Sequence, residues 1–161
     1  MKYLTLLIVL VASVFAANQC PDLDISWQNQ CFYYDKLRGT FDDSNDACVR
    51  AGYHFAKIYN MIENRAIQDF AVEKLDSDFE YYWVGASNRG GNWTWTDGSP
   101  LNFTNWRDRT PSETNQCLGI MMSTGKWVPR DCSEKYQSVC AVDANVGPTP
   151  SGTCPPCPAC V

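Results

Sequence analysis

Tyr81-Tyr82-Trp83-Val84-Gly85-Ala86 is an uncharged, aromatic run with Asp76 and Asp78 before it and Asn88 after it. Aromatic and β-branched residues bounded by turn formers predict a strand. Similar short runs lie on either side: Cys31-Phe32-Tyr33-Tyr34 upstream, and downstream Trp93-Thr94-Trp95, Cys117-Leu118-Gly119-Ile120-Met121-Met122, Lys126-Trp127-Val128 and Ser138-Val139-Cys140-Ala141. Gly, Asn, Asp and Pro separate them. Two segments between the first strand and the rest predict helices. Residues 44–51 follow Asp42-Asp43, which supply N-cap chemistry, and end before Gly52. Residues 61–75 follow Asn60, with Glu63 three positions on, and Ile62, Ala66, Ile67 and Phe70 recur at helical spacing. Two early helices and several short strands predict an α+β domain of short antiparallel sheets. Residues 88–113 form a long, strand-poor loop, the kind of segment that carries function or is pinned by its own aromatics.

The chain has 161 residues, nine of them Cys, and a net charge of -5. That length suits one domain with tails. The acidic balance lacks the basic footprint that nucleic acid or anionic lipid requires. Nine cysteines point away from the cytosol and towards disulfides in a secreted protein. The odd count means that not every thiol pairs within one chain. Lys2, the apolar run over residues 4–15 and the small residues Ala16 and Ala17 predict a signal peptide over residues 1–17. The run is shorter than the roughly 20 residues a bilayer-crossing helix needs, so no membrane insertion is expected. Composition changes near Ala141: five of the nine prolines fall in residues 142–161, which are expected to run as an extended tail.

The order Cys31-Phe32-Tyr33-Tyr34, Phe41, Ala47-Cys48, Gly52-Tyr53-His54-Phe55-Ala56-Lys57-Ile58, Glu63-Asn64, Trp83-Val84-Gly85-Ala86, Trp95-Thr96-Asp97-Gly98, Asn105-Trp106, Cys117, Trp127, Cys132 and Val139-Cys140 resembles a C-type-lectin-like domain in its long form. The resemblance spans residues 20–141, and Trp83 to Ala86 stand where the family has its Trp-Ile-Gly-Leu element. The domain is therefore expected over residues 18–141, with a tail over residues 142–161. The resemblance implies disulfides Cys48–Cys140 and Cys117–Cys132, with Cys20–Cys31 as the extra bridge of the long form. Closing the loop of about 15 residues between Cys117 and Cys132 would stabilise the fold by roughly 3 kcal/mol.

In that family a calcium ion binds sugar. Calcium takes about six to eight oxygens, largely from carboxylates and amides. The family draws them from a Glu-Pro-Asn or Gln-Pro-Asp tripeptide, a Glu before the third cysteine and a Trp-Asn-Asp tripeptide. Here the first reads Thr110-Pro111-Ser112, the Glu position holds Asn115, and Trp127 is followed by Val128 and Pro129. No calcium or other cofactor is expected. Glu113, Asn115 and Asp131 remain as nearby oxygen donors. With Trp93, expected at the surface in Gly90-Gly91-Asn92-Trp93, they are the candidate ligand contacts. Trp83, Trp95, Trp106 and Trp127 match structural positions and are expected in the core.

Asn92-Trp93-Thr94 and Asn102-Phe103-Thr104 are glycosylation sequons, which makes Asn92 and Asn102 candidate glycan acceptors. His54, the one histidine, sits before an apolar strand-like run and is read as structural, so no triad is available. Asp42-Asp43 and the Asp76, Asp78 pair are read as solvated loops rather than a glycosidase dyad. The expected protein is not an enzyme.

Cys154-Pro155-Pro156-Cys157-Pro158-Ala159-Cys160 has three-residue spacing. In polyproline II the sulfurs would share one face about 9 Å apart, beyond the roughly 7 Å Cα spacing that a disulfide tolerates. Pairing with a parallel twin fits better, so Cys154, Cys157 and Cys160 are expected to link a homo-oligomer. The resulting expectation is a secreted recognition protein for glycans or foreign surfaces, as in innate defence. The alternatives are a protein-binding module without sugar affinity and a disulfide-linked matrix component.

Overall fold

In the computed structural model the described residues are Cys20, 25–27, 30–76, 78–108 and 116–143. They form β1 (Ile25–Trp27), β2 (Gln30–Gly39), α1 (Phe41–Arg50), β3 (His54–Phe55), α2 (Met61–Lys74), β4 (Tyr81–Ser87), β5 (Thr94–Trp95), β6 (Gln116–Met121), β7 (Trp127–Asp131) and β8 (Tyr136–Asp143). The expected α+β class and its two helices are present. The strands join in one mixed sheet rather than in separate antiparallel ones. Its path runs β1-β2-β8-β4-β6-β7, with β3 on β8 and β5 on β4. Every pairing is antiparallel except β4 with β8, where Tyr82 lies opposite Gln137 and Trp83 opposite Ser138.

β4 is buried along almost its whole length because it lies between β8 and β6 and is covered on both faces. Strand side chains alternate: Tyr82, Val84 and Ala86 enter one apolar cluster with Ile67 and Ala71 of α2, while Trp83 enters another with Phe41 and Cys48 of α1. The two helices therefore cover opposite faces of the sheet. This double burial explains why the β4 sequence is continuously apolar rather than alternating.

α1 begins three residues earlier than the sequence predicts. Thr40 is the N-cap: its hydroxyl accepts from the Asp43 N–H at 3.2 Å, and the Asp43 carboxylate accepts from the Thr40 N–H at 3.4 Å. Asp42 and Asp43 thus lie in the first turn, where they favour the positive end of the helix dipole. α2 starts as predicted, with the Asn60 side chain accepting from the Glu63 N–H at 2.9 Å. Its burial departs from the predicted stripe: Ile62 is exposed, and Glu63, Asn64 and Gln68 share the inward face with Ala66, Ile67 and Ala71.

Three disulfides staple the domain: Cys20–Cys31, Cys48–Cys140 and Cys117–Cys132. The second ties α1 to β8 across 92 positions. No helix among the described residues is long and apolar enough to cross a membrane. Residues 1–19, with the expected signal peptide, and residues 144–161, with Cys154, Cys157 and Cys160, lie outside the described residues.

Candidate functional site

The long connection after β4 is built on Trp127, the first residue of β7. Its ring meets Trp95 at 6.0 Å, Phe103 at 5.6 Å and Trp106 at 5.5 Å, the last two edge-on at 89°. Trp93 then packs on Trp106 at 4.7 Å. Backbone bonds fix the same contact, since Trp127 N–H donates to Asn105 O at 3.0 Å and Arg107 N–H to Trp127 O at 2.9 Å. The loop is therefore pinned by its aromatics. Trp83, Trp95 and Trp127 are buried, as expected, whereas Trp106, also expected in the core, is half-buried against it.

Polar side chains hold the loop from beneath. Asn105 is buried; it donates to Gly125 O at 3.0 Å and accepts from Lys126 Nζ at 2.8 Å. Asn64 of α2 also donates to Gly125 O, at 3.1 Å, and accepts from the Trp127 indole at 2.7 Å. Asn88, also buried, accepts from the Gln116 N–H at 2.7 Å and so anchors the loop's first residue to β6. A tight turn over Asp97, Gly98 and Ser99 follows β5. Gly98 has φ 83°, a left-handed conformation that glycine adopts without strain. Asp97 accepts from both the N–H and the hydroxyl of Ser99 and pairs with Lys57 at 2.6 Å. The Lys57 ammonium and the Ser99 bonds hold the Asp97 carboxyl well below the usual carboxylate range.

The exposed skin of this loop includes Asn92, Pro100, Asn102, Thr104 and Arg107. Both sequon asparagines, Asn92 and Asn102, are exposed and open to a glycan. Trp93 is not the free surface ring that the flanking glycines predicted. It is half-buried, and its indole nitrogen and that of Trp106 are buried without a hydrogen-bond partner. The glycines before it only let the chain turn, and ring-on-ring packing then draws Trp93 inward.

Asp131 ends β7 and is exposed. Its Oδ1 accepts from the Ser133 N–H at 2.9 Å and from the Ser133 hydroxyl at 2.8 Å, which together lower its pKa. That oxygen is engaged in a turn. Val128 is buried opposite Gly119, and Pro129 pairs with Leu118, so neither β7 position presents a side-chain oxygen. Glu113, Asn115 and the Thr110-Pro111-Ser112 stretch lie outside the described residues. Among the described residues no three His, Cys, Asp or Glu side chains converge to hold a metal ion. The residues that are described do not fit a calcium ion shared with a sugar. His54 is half-buried on β3, its Nδ1 3.1 Å from the Phe55 carbonyl.

Comparison with known proteins follows the same lines. A family model described as the lectin C-type domain matches residues 38–142. A type-2 ice-structuring protein of Hemitripterus americanus is 28% identical over 130 residues, covering 76% of each chain. The human C-type mannose receptor 2 is 26% identical over 133 residues, covering 77% of this chain but only 9% of the receptor. Among solved structures, a calcium-independent type II antifreeze protein superposes with TM-score 0.70 at 27% identity, over 81% of this chain and 98% of that one.

Proposed function

Because the chain belongs to the lectin C-type domain family, we propose that it is a secreted, non-catalytic recognition protein whose loop face binds a glycan or a protein on an extracellular surface without calcium. The observation that carries this reading is the chemistry of β7. Val128 and Pro129 offer no side-chain oxygen, and the one carboxylate at the strand's end, Asp131, is held by Ser133. Binding rests on the rigid loop over the Trp127 cluster instead. The tail cysteines Cys154, Cys157 and Cys160 join copies into a covalent homo-oligomer. Several copies held together would add avidity to weak single contacts.

The likeness to an ice-structuring protein and to a calcium-independent antifreeze fold favours a second reading, an ice surface as the ligand. A glycan array probed in chelator-containing buffer, beside a thermal-hysteresis measurement, separates the two. Glycan capture supports the first reading. Hysteresis with an empty array selects the second.

A further inference from the structure

Helix α2 turns part of its apolar surface outward. Glu63, Asn64 and Gln68 face in, whereas Met61, Ile62 and Val72 are exposed, Ile62 by 64%. Ile62, Ala66 and Phe70, spaced four apart on one flank, meet Trp27 of β1 across a groove of about 390 Å³. Arg65 and Asp69 stand on its rim and pair with each other at 2.9 Å. The groove is thus apolar, aromatic and without a free charge to select an ionic ligand. At the hairpin beside it, the Trp27 indole nitrogen and Gln30 Oε1 are buried with no hydrogen-bond partner, one a donor and the other an acceptor.

The chain's own last segment starts next to this groove. Gln30 pairs with Trp27 on one side and with Asp143, the final residue of β8, on the other. Strands lie about 4.8 Å apart, so about 10 Å of sheet separates Asp143 from Trp27. A polyproline II chain rises about 3.1 Å per residue, and about three or four residues cover that span. The residues that arrive there belong to Val146-Gly147-Pro148-Thr149-Pro150, and residues 144–161 contain no Asp, Glu, Lys, Arg or His. Extended proline segments are bound by aromatic grooves because their backbone is already ordered and their carbonyls stay free to accept.

We propose that residues 146–150 dock in the groove between α2 and β1 of the same chain. The prolines lie against the Trp27 and Phe70 rings, which line the groove. Attachment at Asp143 keeps the segment at high effective concentration, an advantage that a second copy does not share. Docking also sets where the tail cysteines start, because Cys154 follows shortly after Pro150. The loop-face reading does not depend on it.

Native-state cleavage by proteinase K, followed by mass spectrometry at the bonds of residues 144–150, tests this. The full chain carries Cys154→Ser, Cys157→Ser and Cys160→Ser, so that no disulfide holds a second tail close. Cleavage reports the undocked population when docking is fast. With each rate divided by that of a free peptide carrying the same tail sequence, Ile62→Lys at the exposed groove position and Val146→Asp in the tail should each speed it about tenfold. Equal rates in all three proteins overturn the proposal. Protection that grows with protein concentration assigns the groove to another copy's tail and overturns it as stated. Val146→Asp lies outside the folded domain, so it decides the matter even where Ile62→Lys unfolds.

Discussion

The indole N–H of Trp127 donates to Oδ1 of Asn64 at 2.7 Å across 63 positions of sequence. This bond joins α2 to the strand that organises the whole loop face. Asn64 is buried and also donates to Gly125 O, so both ends of its amide are in use. Asn64→Ala leaves the Trp127 indole buried and unpaired, while Gly125 O keeps Asn105. The expected loss is about 2–3 kcal/mol, read from urea unfolding.

Glu63 gives the stability a pH dependence. The side chain is 4% exposed, and burial pushes its pKa above the ordinary 4.5, with the Tyr59 N–H at 2.6 Å acting in the opposite direction. A carboxyl whose folded pKa is raised favours folding when protonated. Its contribution is complete below the unfolded value and is lost as pH rises through the folded one. Glu63→Gln keeps an oxygen for Tyr59 but cannot ionise. The wild type should lose stability relative to this variant as pH rises from 4.5, measured by chemical unfolding at a series of pH values. A constant difference between the two curves would contradict the assignment.

Gly85 lies where β4 passes β3. A Cβ there would stand 2.8 Å from the Phe55 Cβ and 3.2 Å from the Phe55 carbonyl oxygen. Neither neighbour has room to withdraw, because Gly85 N–H donates to Ala56 O at 2.9 Å and Gly85 O accepts from the Thr96 N–H at 2.7 Å. Gly85→Ala should destabilise by about 1–3 kcal/mol, seen as a lower thermal midpoint.

Replacing Cys154, Cys157 and Cys160 with Ser should give a single monomer band on a non-reducing gel, with the thermal midpoint unchanged. The six domain cysteines already pair among themselves. A ladder of large species from the unmodified chain would indicate a matrix component rather than a discrete oligomer.

Much of the fold was legible because its signals are local. Asn60 with Glu63, and the aromatic run of β4, carry their meaning within a few residues. The joining of the strands was not legible, since the parallel contact of β4 with β8 brings together Trp83 and Ser138, far apart in sequence. Periodicity misled on α2 at Ile62, which has the spacing of a core stripe with Ala66 and Phe70 but is exposed, while Asn64 and Gln68 join Ala66 and Ile67 on the inward face. Their amides find carbonyls at Gly125 and Met122 and a hydroxyl at Tyr82. Only the tertiary structure shows that those polar groups are satisfied when buried. At the loop face the sequence displayed the missing oxygens directly, at Val128 and Pro129, but not the engagement of Asp131 Oδ1 by Ser133. Nor did it show the collapse of Trp93 onto Trp106, which depends on how the loop closes.

Retention of the full-length protein on mannose and galactose resins, measured with and without a calcium chelator, tests the central claim most directly. The structure's β7 chemistry predicts that whatever binds remains bound when the chelator is added. Retention in calcium that disappears with the chelator would contradict a calcium-free loop face.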